Sequence, residues 1–228
     1  MNYCRLFLLT SCLFCAPAFS DTIAIIGTGD VGRALGTQFA KQGHTIVYGS
    51  RDPARRGVES LLEMTGPEAS ATTQAAAAAE ADVVVLAVPG MLVPEIARGL
   101  GDLSGKIVID PTNPLERSLL SFEHGVETSN AEIIQSMFPD AMVVKAFNTL
   151  SWETMIDPAS AAGPVSVPLA GDSGQAKKVV AGLVAGMGLE AIDVGGVENA
   201  HWLEGMLILW INNRFSLRDS FDYHLRKN

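Results

Sequence analysis

Three glycines near the N-terminus have the spacing that allows a chain to bind phosphate groups. Gly27, Gly29 and Gly32 form the pattern G-x-G-x-x-G, directly after an apolar β-branched run and at the start of a helical pattern. The first glycine permits a tight turn, the second lets a pyrophosphate approach the backbone, and the third lets the helix pack close to the strand. Free N–H groups at the helix N-terminus then attract phosphate. The pattern predicts a bound dinucleotide, with a purely structural glycine turn as the alternative.

The residues after the second predicted strand indicate which dinucleotide is bound. In NAD-binding folds this strand usually ends with an acidic residue that holds the ribose hydroxyls. Here the chain continues with Ser50 and Arg51, and Arg55 follows one helical turn later. Arginines can pair with a 2′-phosphate, and the serine hydroxyl can hydrogen-bond to it. The sequence therefore predicts NADP(H) rather than NAD, with a solvated basic turn as the alternative.

Two more loops follow strands that should end at the same edge of the sheet. Val88 and Pro89 close an apolar run, and the proline leaves the carbonyls before it free to face a cofactor. Asn113 lies between two prolines after the next strand. Its amide can bond to the carboxamide or the ribose of a nicotinamide nucleotide, and a turn-forming asparagine before proline is an equally good interpretation.

Other residues offer little conventional catalytic chemistry. The four histidines lack the paired spacing typical of metal sites, so no metal is expected. His124 and His201 are weak candidates for a place near the substrate, with structural roles as alternatives. Lys145 is predicted either to steady an anionic substrate or to reach water at the end of a strand. Hydride transfer depends mainly on the alignment of two rings, so it does not require a strong acid or base.

The elements that must position these residues alternate along the chain. Helical patterns separate the predicted strands, which cover residues 22–26, 45–49, 82–88, 106–110, 141–145, 165–170 and 189–194. This order predicts an α/β fold with a Rossmann-type doubly wound parallel sheet and a small C-terminal α/β extension. A long apolar helix is predicted over residues 198–219, and its stretch 206–211 is apolar all round. Such a stretch should be buried, either by the rest of the fold or by a second subunit, and the second subunit is preferred. We therefore expect a homodimer.

Composition and charge exclude several classes of protein. The chain has 228 residues and a formal net charge of −9, which argues against a nucleic-acid binder. Hydrophobic residues make up 48% and charged residues 18%, so the chain can bury enough apolar surface to fold.

The N-terminus forms a separate unit. Residues 1–20 combine Arg5, an apolar run and an A-x-A sequence, as in a signal peptide. We expect residues 21–228 to form one NADP-binding domain that is periplasmic or secreted, or cytoplasmic if the N-terminus is mis-assigned. The apolar runs are too short to span a bilayer, so no transmembrane helix is expected in the mature chain.

Four segments resemble a known family. They are GTGDVGRALG (27–36), GSRDP (49–53), VKAFNT (144–149) and AGDS (170–173). Together they are similar to the NADPH-dependent coenzyme F420 reductases and to the oxidoreductase domain of the STEAP metalloreductases. The resemblance implies phosphate-loop contacts for Thr28, Asp30 and Val31. It also implies that Ser50, Arg51 and Arg55 hold the 2′-phosphate, that Val88 and Pro89 flank the nicotinamide ribose, and that Ala146, Phe147 and Asn148 lie beside the nicotinamide.

The same resemblance implies an activity. It predicts an NADP(H)-dependent oxidoreductase that transfers hydride between NADPH and a small-molecule electron acceptor. That acceptor is a flavin (FAD or FMN) or a deazaflavin of the coenzyme F420 type, with onward electron transfer to a metal chelate as an open alternative. An imine or hydroxyacid reductase is disfavoured, because the chain returns to strands where those enzymes need a helical domain. A nonenzymatic NADP-binding sensor or partner subunit is the other alternative.

Overall fold

The computed structural model describes residues 20–115, 127–217 and 221–226. The predicted signal peptide lies outside the described residues except for Ser20, and so does His124.

A parallel sheet of six strands forms the centre of the molecule. Its strands are β1 (Thr22–Ile26), β2 (Thr45–Gly49), β3 (Ser70–Thr72), β4 (Val83–Leu86), β5 (Ile107–Asp110) and β6 (Met142–Lys145). They lie in the order β3-β2-β1-β4-β5-β6, which is the Rossmann order. The predicted doubly wound sheet is thus confirmed. The order reverses between β1 and β4, and in such sheets the crevice at this point binds the ligand.

Helices cover both faces of this sheet. They are α1 (Asp30–Lys41), α2 (Arg56–Thr65), α3 (Gln74–Glu80), α4 (Val93–Arg98), α5 (Asn130–Met137), α6 (Trp152–Ile156), α7 (Gly174–Gly186) and α8 (Ala200–Asn212). Successive residues of a strand point to opposite faces, so Ile23 and Ile25 belong to one buried cluster while Ala24 and Ile26 belong to the other. Burial on both faces explains why the strands read as continuous apolar runs.

The C-terminal extension is a small parallel pair of strands. β7 (Ser166–Leu169) pairs with β8 (Glu190–Asp193), and α7 connects them. The pair joins the main sheet through one antiparallel bridge between Lys145 and Ala170. The predicted α/β extension is present.

Two short elements differ from the sequence prediction. The sequence predicts one alanine-rich helix over residues 72–81, but the edge strand β3 extends to Thr72 and α3 starts only at Gln74. The Thr73 hydroxyl caps this helix by accepting a hydrogen bond from the Ala76 amide. The five-residue helix α6 lies where no element was predicted. Both are too short to show a periodic pattern.

The last helix is partly exposed, which corrects the prediction that it is fully buried. α8 ends at Asn212 and continues as one π-helical turn, Asn213–Leu217. Because it packs against the rest of the chain along one side, only one stripe is buried (Ala200, Leu203, Glu204, Leu207 and Ile211). Trp202 and Leu209 are each 64% exposed. No helix in the described part of the chain is long and apolar enough to cross a membrane.

Candidate functional site

A cavity of about 960 Å³ opens at the carboxyl ends of the central strands. Most of the residues predicted to bind a cofactor line it, namely Gly27, Thr28, Gly29, Asp30, Val31, Ser50, Arg51, Arg55, Val88 and Pro89. The topology brings them together because the parallel strands β1, β2 and β4 all end at this edge. The cavity lies at the crevice where the strand order reverses.

The glycine loop between β1 and α1 is shaped for close approach. Gly27 has φ +117°, and a side chain there would collide with the Ala87 carbonyl oxygen. Gly32 lies beneath the loop and does not line the cavity. A Cβ at Gly32 would collide with the Gly27 carbonyl oxygen. A Cβ at Gly29 would meet no atom within 4 Å, so this position faces open space. The loop thus leaves room for a bulky anion directly before a helix.

The N-terminus of α1 points into that space. Gly29 is the residue before the helix, and no side chain caps the first turn. The amide groups of this turn therefore lack intrahelical partners and favour a phosphate. Asp30 is paired with Arg33 at 3.2 Å, which partly offsets its charge next to that anion site.

The basic turn after β2 is held against the glycine loop. The Ser50 hydroxyl donates to the Asp52 carbonyl oxygen (3.0 Å) and accepts from the Asp52 amide (3.2 Å), which closes the turn. The Arg55 guanidinium donates to the Thr28 hydroxyl at 3.1 Å. Arg51 is exposed at the cavity. Two guanidinium groups thus flank the mouth, as a phosphate on the ribose would require.

The far end of the cavity is mostly apolar. Val88 and Pro89 form one wall, and Pro111 and Thr112, which follow β5, also line this end. The remaining walls come from helices, through Leu92, Glu95, Ile96 and Trp152. Sequence reasoning missed Trp152. Its ring lies under the Arg33 guanidinium at 5.1 Å, and a tryptophan three residues after the VKAFNT segment was the available signal.

Four other predicted residues lie behind this wall and do not line the cavity. The side chains of Asn113 and Asn148 bond to each other at 3.0 Å, and Asn148 also donates to the Leu203 carbonyl oxygen. Ala146 and Phe147 are buried in the core. Phe147 adopts φ +65°, a left-handed conformation that non-glycine residues rarely take, with its ring near that of Phe39.

His201 lies away from the cavity. Its Nδ1 is 3.2 Å from the Glu132 carboxylate, and its ring packs on Trp202. Among the described residues no group of histidines, cysteines and carboxylates has the arrangement of a metal site.

Lys145 is neither solvated nor in the cavity, contrary to both predicted roles. Its ammonium group is fully buried and donates to Asp110 (2.8 Å) and Glu204 (2.6 Å), whose side chains are also fully buried. Burial alone would lower the pKa of Lys145, but the two carboxylates outweigh it, so the pKa is raised. Burial also raises the pKa of Glu204, against the attraction of Lys145. No periodicity in the sequence reveals such a long-range cluster.

Comparison with known proteins supports the same nucleotide chemistry. Residues 22–114 match the family model described as NADP oxidoreductase, coenzyme F420-dependent. The F420-dependent NADP reductase of Methanothermobacter thermautotrophicus is 34% identical over 206 residues, covering 83% of this chain and 88% of that protein. The metalloreductase STEAP3 of Rattus norvegicus is 32% identical over 193 residues, but the chain spans only 37% of its length.

Solved structures agree with this relationship. A candidate F420-dependent NADP reductase from Arthrobacter sp. FB24 superposes with a TM-score of 0.81 at 34% identity, covering 91% of this chain and all of that one. An imine reductase from Aspergillus terreus, at 20% identity and a TM-score of 0.64, shares the fold. Because the chain is 34% identical to a named reductase along 88% of that protein, it belongs to the coenzyme F420-dependent NADP oxidoreductase family and is an NADP-dependent oxidoreductase.

Proposed function

We propose that this chain transfers a hydride between NADP(H) and a flavin or a deazaflavin of the coenzyme F420 type. The observation that supports this most is the continuity of the cavity, which joins the glycine loop, the basic turn and an apolar end in one space. The name of the M. thermautotrophicus relative favours a deazaflavin as the acceptor.

The polar half of the cavity binds the nucleotide in this proposal. The first turn of α1 and the open space above Gly29 receive the pyrophosphate. Arg51 and Arg55 pair with the 2′-phosphate, and Ser50 adds a hydrogen bond. These contacts select NADP(H), because NAD lacks the phosphate that the two arginines hold.

The apolar half of the cavity receives the nicotinamide. Val88 and Pro89 lie against one side of the nicotinamide, and Pro111 and Thr112 lie against its other side.

The acceptor lies over the exposed face of the nicotinamide. Leu92, Ile96 and Trp152 offer an apolar and aromatic surface on which a planar ring system can pack. NADPH supplies the hydride, the acceptor gains it with one proton from solvent, and NADP⁺ is released. The chain supplies orientation and exclusion of water, and no acid or base is assigned.

The test is a titration followed by an acceptor screen. Purified protein is titrated with NADPH and NADH by fluorescence, and NADPH oxidation is then followed with coenzyme F420, FMN, FAD and ferric chelates. We expect preference for NADPH and turnover with F420 or a flavin, and reduction of a ferric chelate only when a flavin is added. Binding without turnover on any of these acceptors contradicts the proposed acceptor class and favours a sensor.

Two further parts of the proposal concern the whole protein. We infer that α8 pairs with a second copy of the chain, because Trp202 and Leu209 expose a large apolar area on its outer side. We also infer that residues 1–20 direct export and are removed, leaving the domain 21–228. N-terminal sequencing of the protein from the native host tests this, and an intact Met1 contradicts it.

A further inference from the structure

A buried network of polar side chains lies directly behind the apolar end of the cavity. Lys145 comes from the end of β6, Asp110 from the end of β5, and Glu204 from α8, and all three side chains are fully buried. Burying charges costs several kcal/mol per ion even when they are paired, so apolar residues of similar size often serve stability equally well. The network therefore invites an explanation beyond stability.

The network holds every polar atom of Thr112, which lines the cavity. Lys145 donates to the Thr112 carbonyl oxygen at 2.6 Å. The Thr112 amide and hydroxyl both donate to the Asp110 carboxylate, at 2.9 and 2.6 Å. The backbone and the side chain of this cavity residue are thus oriented by groups that do not themselves reach the cavity.

The same network ties the loop that carries Thr112 to the loop after β4. The Asn130 side-chain amide donates to the Thr112 hydroxyl (2.8 Å) and to the Gly90 carbonyl oxygen (2.9 Å). Gly90 follows Pro89, so Asn130 links the loop after β4 to the loop after β5. Glu204 accepts a hydrogen bond from the Asn130 backbone amide at 3.2 Å. Asn130 is therefore connected to the Lys145–Glu204 ion pair.

We infer that Lys145, Asp110, Glu204 and Asn130 are positioning residues that set the separation of the two loops around the nicotinamide, and hence the rate of hydride transfer rather than the affinity for NADPH. This inference rests on the proposed placement of the nicotinamide at the apolar end. Affinity comes mainly from the phosphates, which the network does not touch. Rate depends on the geometry of the reacting carbon, and a misplacement of about 1 Å can cost about 100-fold.

Two variants test the inference. Asn130→Ala removes the link between the loops without leaving a buried charge, and Lys145→Met removes the centre of the network. Lys177→Met is the matched control, because Lys177 pairs with Asp193 at 2.7 Å and neither residue lines the cavity. Thermal melting identifies the variants that fold. If Lys145→Met does not fold, Asn130→Ala alone tests the inference.

Three readouts separate positioning from a merely structural role. For Asn130→Ala we expect single-turnover hydride transfer to fall about tenfold, while the Kd for NADPH changes by less than about threefold. The primary isotope effect with 4-deuterated NADPH should rise, because chemistry becomes more fully rate-limiting. The fluorescence lifetime of bound NADPH should shorten as the nicotinamide gains freedom. Lys177→Met should match the wild type in all three.

The outcomes also distinguish this inference from the proposed function. A folded Asn130→Ala variant with the wild-type rate and lifetime overturns the inference, and so does a parallel loss of affinity and rate. If the wild type binds NADPH but reduces none of the acceptors, the proposed function fails. The lifetime of bound NADPH, which needs no acceptor, still decides whether the network positions the nicotinamide.

Discussion

At the scale of single residues, selectivity rests on a few contacts at the mouth of the cavity. Arg55 is held by Thr28, so its position is already fixed by the glycine loop. Arg51 is exposed and free to meet the phosphate in solution. The two arginines thus differ in how much order they must gain on binding, and Arg51 is the better residue to substitute, because its loss leaves the glycine loop intact.

Arg51→Ala should weaken the binding of NADPH about 10- to 100-fold, as expected for one charge-assisted contact, and leave NADH binding almost unchanged. Fluorescence titration with both nucleotides measures the ratio. Arg56→Ala is the control, since Arg56 is exposed nearby but does not line the cavity. Equal losses for the two nucleotides would contradict a 2′-phosphate contact.

A second residue-scale prediction concerns Gly29. Because a Cβ at this position meets no protein atom within 4 Å, Gly29→Ala should fold normally and shift the free energy of unfolding by less than about 1 kcal/mol. NADPH affinity should nevertheless fall, because the methyl group occupies the space for the pyrophosphate. Gly182→Ala, on α7 away from the cavity, is the control that should bind normally. A Gly29→Ala protein with undiminished affinity would place the pyrophosphate elsewhere.

At the scale of elements, capping decides where several helices begin. Ser173 precedes α7, and its hydroxyl accepts from the Ala176 amide at 3.2 Å. Ser173→Ala should lower the free energy of unfolding by about 1 kcal/mol, which calorimetry or urea titration can measure. Ser173→Asp keeps an acceptor and should retain the stability, and NADPH binding should be unaffected in both. Equal stability of the alanine and aspartate variants would argue against the cap.

The elements also show how far sequence reasoning reaches. The bounds of β1 and β2 match the sequence prediction, because each is a strongly patterned run that ends at a glycine or directly before one. The cavity residues of the glycine loop, the basic turn and the end of β4 were also predictable, because the G-x-G-x-x-G pattern and the strand ends are local signals, whereas Trp152 was missed. Three features could not be predicted, because contacts between distant parts of the chain define them. They are the edge strand β3, the helix α6 and the network around Lys145.

At the scale of the whole molecule, the outer side of α8 is the feature most in need of a partner. Leu209→Glu should convert a dimer to a monomer, because it places a charge in the centre of the exposed apolar area. Light scattering coupled to size exclusion measures the mass. Met64→Glu is the control, since Met64 is 61% exposed on a different helix. A wild-type chain that is already monomeric at micromolar concentration would refute pairing through α8.

The edges of the main sheet limit how copies of the chain can meet. One edge is β3, which has only three residues. At the other edge the Lys145 amide and carbonyl exchange hydrogen bonds with Ala170 of the extension, at 2.8 and 3.2 Å. Long open ladders recruit further strands and seed aggregation, whereas short or covered edges do not. Association by side-chain packing, rather than by growth of the sheet from chain to chain, is the form of self-assembly that this architecture permits.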